Sequence, residues 1–221
     1  MTPNQITVFR VLLAFLAVAL FGLPRSLGPW AALGGVALII AAVALDALDG
    51  YIARRRNLAT PLGAQLDILG DRVIENLFFT YFAVVGLISL WVPVLFFVRG
   101  AATDFVREVA ARQGRSGFGA QSMLVTRWGR ALVASRWSRG AYGVVKCVCF
   151  CVLGLQLALR GAGDAVTLAV PLLREAVMFT AEALVAAAVV FCIVRGVPVL
   201  WEGRRYLAAP PFGAPVGAAW R

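Results

Sequence analysis

The sequence predicts an all-α integral membrane protein with six transmembrane helices and with both the N and C termini in the cytoplasm. Of the 221 residues, 61% are hydrophobic and only 14% are charged, a composition typical of membrane-spanning chains rather than of soluble domains. Apolar runs long enough to cross a bilayer recur along the chain. Most of the arginines fall on one side of these runs, and the positive-inside rule assigns that side to the cytoplasm.

Six helices are expected at the apolar runs, near residues 5–23, 29–56, 62–88, 90–113, 137–160 and 174–203. The first run lacks a small-residue cleavage site, which favours a spanning helix over a cleavable signal. The length indicates one membrane domain, residues 1–205. We expect the Pro/Gly-rich tail at residues 206–221 to be disordered.

The net charge of +10 follows mainly from the one-sided arginines. They flank predicted spanning helices rather than forming a soluble basic face, which argues against nucleic-acid binding and for attraction to anionic lipid headgroups. Histidine is absent, so Ser-His and Cys-His nucleophile pairs are excluded and general-base chemistry falls to a carboxylate. Cysteines at 147, 149 and 151 do not have a zinc spacing, and we interpret them as apolar filling.

Residues 45–75 hold five of the eleven acids of the chain, between two strongly apolar segments. Asp46 and Asp49 share one helical face through their i, i+3 spacing, and Asp67 and Asp71 share a face of the next helix through i, i+4. The linker between the two helices is short, which makes them antiparallel neighbours. The two pairs of aspartates can therefore meet.

Carboxylates in such a setting need cations. One carboxylate at the bilayer centre costs roughly 2.5–3.5 kcal/mol on insertion scales, and four at one point repel one another. Hard oxygen ligands suit Mg²⁺ or Mn²⁺, and two ions match the charge of four aspartates better than one. The sequence therefore predicts a site for divalent cations at Asp46, Asp49, Asp67 and Asp71.

The spacing of these residues carries a resemblance to a known family. The pattern D-x-x-D-G-x-x-A-R from Asp46 to Arg54 is followed, after eight residues, by G-x-x-x-D-x-x-x-D from Gly63 to Asp71. This resembles the signature of the CDP-alcohol phosphotransferases without a departure. The resemblance extends over residues 3 to about 200 and implies a six-helix membrane domain, generally a homodimer. It implies transfer of a phosphatidyl group from CDP-diacylglycerol to an alcohol, with release of CMP.

The resemblance also implies roles for single residues. Asp46, Asp49 and Asp67 would hold two divalent cations, and Asp71 would both ligate a metal and take the proton of the acceptor hydroxyl. The residues expected to contact the nucleotide are Pro3, Asn4, Gln5, Ile6, Gly50, Arg54 and Thr60. Two of these features have simpler explanations, because the Pro3–Thr7 stretch also reads as a helix start and Thr60 also suits a helix cap.

An excess of cations on helices four and five predicts an anionic acceptor, such as glycerol 3-phosphate or inositol phosphate, because arginine forks match phosphate. The candidates are Arg99, Arg107, Arg136, Arg139 and Lys146. Positive-inside anchoring is the competing explanation, and a neutral or amino-alcohol acceptor is the alternative within the family. Glu75 and Asn76 continue the polar stripe past Asp71, and we expect them to support the site or to bridge helices.

Two other classes of protein also use buried acids. A membrane prenyltransferase binds diphosphate-bound Mg²⁺ with aspartate clusters, but the spacing here does not match that class. A cation-coupled or proton-coupled transporter could use the acids as a relay, although no internal repeat supports it. Glu182, an acid in the last apolar run, has no partner that the sequence can name.

Overall fold

The computed structural model describes residues 3–23, 29–55, 61–115, 122–162 and 170–207. The side chains at 3, 47–55, 61, 62, 64, 134 and 136 lie outside that description. Residues 208–221 also lie outside it, so the disordered tail stays a prediction.

The described residues form six long helices, as predicted: α1 Pro3–Phe21, α2 Pro29–Arg55, α3 Pro61–Val84, α4 Trp91–Arg112, α5 Arg136–Gly161 and α6 Pro171–Leu207. Four of them begin at a proline, which has no N–H to leave unpaired at the first helical position. A short helical segment lies between α4 and α5, made of the turn Arg127–Gly129 and the π-helical Arg130–Ala134. The sequence predicted no helix here, although the tryptophans and arginines of this stretch are typical of a membrane-interface segment.

Two helices end at a glycine in the left-handed region. Gly86 follows α3 with a φ of 72°, and Gly114 follows α4 with a φ of 75°. At each end the next N–H reaches back five residues, from Leu87 to Phe82 O at 2.9 Å and from Arg115 to Ala110 O at 3.0 Å. These are Schellman caps. The first one ends α3 at Val84, four residues before the predicted end.

Four stretches of the described chain are long and apolar enough to cross a membrane: Asn4–Phe21, Pro29–Asp46, Arg127–Gly161 and Pro171–Leu207. They include α1, α5, α6 and most of α2. The helices α3 and α4 do not meet this criterion, because each carries several charged side chains within 24 and 22 residues. Four of the six predicted spans are therefore supported by length and composition.

The chain divides into two compact units. The first unit comprises Met1–Val98 and Ala141–Phe191, and the second comprises Arg99–Gly140 and Cys192–Arg221. The core of the first unit is aromatic, with the ring of Phe79 centred 4.3 Å from that of Phe96 and 4.8 Å from that of Phe150. Gly35 and Gly154 leave room beside it, since a Cβ on Gly35 would lie 2.5 Å from the ring of Phe21 and one on Gly154 3.1 Å. Such small residues let membrane helices approach closely.

The second unit has its own apolar core. Its buried members are Val106, Ala110, Met123, Leu124, Val133 and Val199, with Leu132 and Tyr206 packed against them. These residues come from α4, from the segment that precedes α5 and from the last turns of α6. Gly203 packs directly on Val106, so the helix backbone itself lines part of this core.

Candidate active site

Three of the predicted metal ligands meet in the first unit. Asp46 lies near the end of α2, and Asp67 and Asp71 lie one turn apart on α3. One carboxylate oxygen from each lies within 4.8 Å of the other two. The three side chains are 49, 48 and 55% exposed, so a ligand from outside can reach them.

A buried arginine on α1 lies among these carboxylates. The Arg10 side chain is only 3% exposed and donates through Nη1 to Asp46 and Asp67 and through Nη2 to Asp71. The two longer contacts measure 3.1 Å to Asp67 Oδ1 and 2.7 Å to Asp71 Oδ1. In the sequence, Arg10 is one of the one-sided arginines that indicate membrane orientation. A cation inside an apolar helix that needs acidic partners was the signal that could have assigned it to the site.

Small side chains allow α1 to approach α3 at this point. Gly70 lies between Asp67 and Asp71, and a Cβ there would be 3.0 Å from Thr7 Cγ2 and 3.5 Å from Val11 Cγ2. Thr7 is buried one turn before Arg10. The glycine therefore lets α1 pack directly against the aspartate-bearing face of α3.

The geometry suits a divalent cation. The three oxygens lie within 4.8 Å of one another, and one ion bonded to all three at about 2.1 Å would bring at least two of the three oxygen pairs to about 3 Å, so the aspartates would close around the ion. The three carboxylates surround a single guanidinium, that of Arg10. Because carboxylate oxygens are the hard ligands that Mg²⁺ and Mn²⁺ prefer, the donor set fits a hard metal ion.

Several predicted residues lie outside the described side chains. They are Pro3, Asp49, Gly50, Arg54, Thr60 and Arg136. The remaining predicted nucleotide contacts, Asn4, Gln5 and Ile6, lie in the first turns of α1, two turns or less before Arg10. Ile6 is buried, whereas Gln5 is exposed. A role in nucleotide binding for these residues stays a prediction.

Glu75 and Lys146 form an ion pair between α3 and α5. Lys146 Nζ lies 2.6 Å from Glu75 Oε2 and 4.4 Å from the centre of the Tyr142 ring. Arg72 Nη1 is a more distant partner of the same oxygen, at 3.9 Å. The Glu75 side chain is 3% exposed, and its Oε1 has no hydrogen-bond partner among the described residues. The pair bridges two helices one turn past Asp71.

The other acceptor candidates belong to the second unit. Arg99 is 8% exposed and packs along α6, where a Cβ on Gly196 would lie 2.9 Å from Arg99 Cγ. Arg107 Nη1 lies 3.4 Å from Asp104 Oδ1, one turn away. Arg139 is exposed near the start of α5.

The second unit also contains a polar network that sequence reasoning missed. Glu202 on α6 accepts hydrogen bonds from Val125 N at 2.5 Å, from Thr126 N at 3.2 Å and from the Thr126 hydroxyl. Arg195, also on α6, donates to Leu132 O at 3.0 Å and to Ser138 Oγ at 2.5 Å. These side chains tie the segment before α5 to α6. The paired residues lie about 60 to 80 positions apart, and no local sequence pattern links residues so far apart.

Comparisons with known proteins converge on one family. The sequence model of the CDP-alcohol phosphatidyltransferases matches residues 1–194. The chain is 43% identical over 72 residues to a CDP-diacylglycerol–glycerol-3-phosphate 3-phosphatidyltransferase of Pseudomonas fluorescens, and 34% identical over 130 residues to the Escherichia coli K12 protein of the same name. It is 40% identical over 72 residues to a CMP-forming cardiolipin synthase of Oryza sativa subsp. japonica.

These matches cover parts of each chain. The match covers 33% of this chain for the Pseudomonas protein, 57% for the Escherichia protein and 33% for the rice protein. In the same order they span 35, 66 and 21% of the relatives. The family match together with the four apolar stretches indicates a membrane protein.

Proposed function

We propose, since the chain belongs to the CDP-alcohol phosphatidyltransferase family, that it transfers a phosphatidyl group from CDP-diacylglycerol to an alcohol and releases CMP. The observation that carries the proposal is the convergence of Asp46, Asp67 and Asp71 from two helices at the spacing of the family signature. The half-exposed carboxylates are open to a ligand, while the helices around them are apolar. Such a site can admit a nucleotide headgroup and limit access of water to the reacting phosphate.

The aspartates divide the chemistry between them. Asp46, Asp67 and Asp71 would hold a divalent cation, with Asp49 completing a site for two ions, Mg²⁺ or Mn²⁺. When bound, these ions would neutralise the diphosphate and stabilise the departing CMP. Asp71 would take the proton of the acceptor hydroxyl while the acceptor oxygen forms its bond to phosphorus. The bond from phosphorus to CMP breaks in the same displacement, with the leaving oxygen remaining on CMP.

We propose glycerol 3-phosphate as the acceptor. Two of the relatives carry this substrate in their names, and arginine forks bind phosphate oxygens in pairs. Arg99 and Arg107 are the leading candidates on α4, with Arg136 and Arg139 at the start of α5. Lys146 is a weaker candidate, because its ammonium lies 2.6 Å from Glu75 and that carboxylate offsets its charge.

The deciding experiment measures CMP release from CDP-diacylglycerol by the purified protein in detergent. Glycerol 3-phosphate is compared with free glycerol, and inositol phosphate with free inositol. We expect CMP only with divalent metal, and faster with the phosphorylated alcohol of each pair. Activity that survives exhaustive EDTA treatment would remove the metal from the proposal. Preference for an unphosphorylated alcohol would overturn the anionic acceptor, and ion transport without CMP would favour the transporter alternative.

Arginine variants distinguish a role in acceptor binding from a role in membrane anchoring. Arg99→Ala should raise the KM for glycerol 3-phosphate, whereas anchoring arginines should leave it unchanged. Arg112→Ala is the matched control, because Arg112 lies on the same helix but is exposed and pairs with Glu108. Equal KM values for the two variants would remove Arg99 from the acceptor site.

We further propose a multi-pass cell-membrane protein with cytoplasmic termini, a cytoplasm-facing site and a homodimeric assembly. The one-sided arginines support the orientation. Reagents confined to the exterior should fail to label cysteines introduced after Met1 or before Arg221. Labelling of either position would overturn this orientation. Crosslinking in native membranes tests the dimer.

A further inference from the structure

The position of Arg10 among the metal-site carboxylates has a consequence for metal binding. Its guanidinium nitrogens contact the Oδ1 atoms of Asp46, Asp67 and Asp71, and the same three side chains form the candidate metal cluster. Arginine keeps its charge at all ordinary pH values. The arginine and a divalent ion would therefore use the same oxygens.

We propose that Arg10 is a built-in counter-cation of the aspartate cluster, which a divalent ion must displace in order to bind. The proposal rests on the metal site of the proposed function. In the metal-free protein, the guanidinium offsets the mutual repulsion of three carboxylates. When a metal binds, Arg10 gives up its contacts, so it lowers the metal affinity while stabilising the metal-free state.

Burial makes this role specific to Arg10. Its side chain is 3% exposed, whereas the three carboxylates are about half exposed. Its Nε–H has no hydrogen-bond partner among the described residues. The guanidinium therefore reaches the cluster from the protein interior, while a metal can arrive from outside. An arginine that merely covered the site from solvent would show the opposite pattern.

Electrostatics argue against simultaneous occupancy. A cation bonded to the same three oxygens would lie beside the guanidinium, and like charges at such a distance repel each other strongly. The metal would also have to break charge-assisted hydrogen bonds, which are stronger than neutral ones. Both effects weaken metal binding in the wild type relative to a variant without the arginine.

The test measures Mn²⁺ binding to the metal-stripped full-length protein in detergent, with free Mn²⁺ followed by its electron paramagnetic resonance signal. We expect Arg10→Gln to bind Mn²⁺ about tenfold more tightly than the wild type, since the metal no longer breaks the hydrogen bonds of Arg10. Arg112→Gln is the matched control. It also removes one positive charge, but from a side chain that is 62% exposed, and it should bind like the wild type.

A second readout uses thermal unfolding. Metal-free Arg10→Gln should melt at a lower temperature than metal-free wild type, because the three carboxylates repel one another without the guanidinium. Saturating Mn²⁺ should raise the melting temperature of Arg10→Gln by more than it raises that of the wild type. If Arg10→Gln cannot be purified folded, Arg10→Lys replaces it. One ammonium cannot span three carboxylates as a fork does, so this variant should bind Mn²⁺ a few times more tightly than the wild type.

The outcomes separate this inference from the proposed function. Equal or weaker Mn²⁺ binding by Arg10→Gln, with clear binding by the wild type, overturns the counter-cation role and leaves the metal site intact. Absence of Mn²⁺ binding in every protein overturns the metal site and the inference with it. Tighter binding in both Arg10→Gln and Arg112→Gln overturns the inference too, because the effect would then follow net charge alone.

Discussion

Arg10 in the first unit and Arg195 in the second, both buried, show how differently the chain treats a cation within an apolar helix. Arg10 in the first unit lies among three carboxylates. Arg195 in the second unit donates to the backbone oxygens of Leu132 and Val133 and to Ser138 Oγ. These three partners are neutral, and they tie Arg195 to the segment before α5 and to the start of α5. The partners of Arg10 are charged, exceed it in number and remain open to an outside ligand.

The buried glutamates follow the same division. Glu202 accepts hydrogen bonds at both oxygens from the Val125–Thr126 backbone and the Thr126 hydroxyl. Among the described residues, Glu75 has a close partner at one oxygen, Lys146 at Oε2, and none at Oε1. A carboxylate whose oxygens are both satisfied by the fold serves structure. A cluster of half-exposed carboxylates is suited to bind a cation, so we expect the chemistry in the first unit and a structural role for the Glu202 network.

The largest effect is expected at the aspartate cluster. Asp71→Asn should lower CMP release by about 10²–10⁴-fold, the usual contribution of a positioned general base. The protein should still fold and bind CDP-diacylglycerol, because the amide keeps an oxygen for Arg10 and relieves repulsion between carboxylates. Turnover and lipid binding are measured on the same preparation.

A matched control defines that loss. Glu108→Gln removes an acid that is 54% exposed and paired only locally with Arg112, so its turnover should equal that of the wild type. Near-normal turnover of Asp71→Asn would assign the proton transfer to another carboxylate and would weaken the division between the two units.

The next effect is expected at the Glu75–Lys146 pair. Lys146→Met should destabilise the protein by about 3–5 kcal/mol, since it leaves a buried carboxylate without its close partner. Arg72, at 3.9 Å, is too distant to replace the ammonium fully. The measurement is the free energy of unfolding, or the melting temperature in detergent.

A double variant separates charge from packing at this pair. Lys146→Met combined with Glu75→Gln removes both charges and should recover most of the lost stability. Stability of the double variant no better than that of Lys146→Met alone would show that the lysine acts through packing on Tyr142.

The third effect is expected in the second unit. Glu202→Gln should destabilise the protein by about 1.5–3 kcal/mol, the usual value for hydrogen bonds to a charged group. Turnover per folded molecule should equal that of the wild type, because Glu202 stabilises the Val125–Thr126 backbone rather than contacting the aspartate cluster. Glu182→Gln is the matched control on the same helix, since Glu182 is exposed. Equal stability of the two variants would contradict the structural role of Glu202.

These regions differ also in how far the sequence predicted them. The i, i+4 spacing of Asp67 and Asp71 placed both on one helical face, and the apolar surroundings of Asp46 required a counter-charge. Periodicity contains that information, and the apolar runs predicted the positions of the six long helices to within four residues at each end. The Arg10 contacts span 36 to 61 positions and depend on how α1 packs at Gly70, which no local pattern records.

The Glu202 network escaped prediction for a related reason. Two of the three donors to Glu202 are the backbone N–H groups of Val125 and Thr126, and a backbone donor leaves no mark on the residue type. The capping role of Thr126 can be recognised in the sequence, because a threonine side chain often accepts a hydrogen bond at a helix start. Here the Thr126 hydroxyl accepts one from Gly129 N at 3.0 Å. A capping threonine indicates a helix start, but the acid that contacts it from α6 could be found only in three dimensions.

The smallest effect is expected where a charge pair stays in water. Arg112 Nε lies 3.0 Å from Glu108 Oε1, one turn away on α4, and the two side chains are 62 and 54% exposed. Solvent screens such a pair, so Arg112→Gln should cost less than about 1 kcal/mol of stability. Arg112 also lies in the last turn of α4, where its interaction with the helix dipole stabilises the helix by about a few tenths of a kcal/mol. A melting-temperature drop as large as that of Lys146→Met would contradict the comparison, because exposure, rather than the number of contacts, is what separates the two pairs.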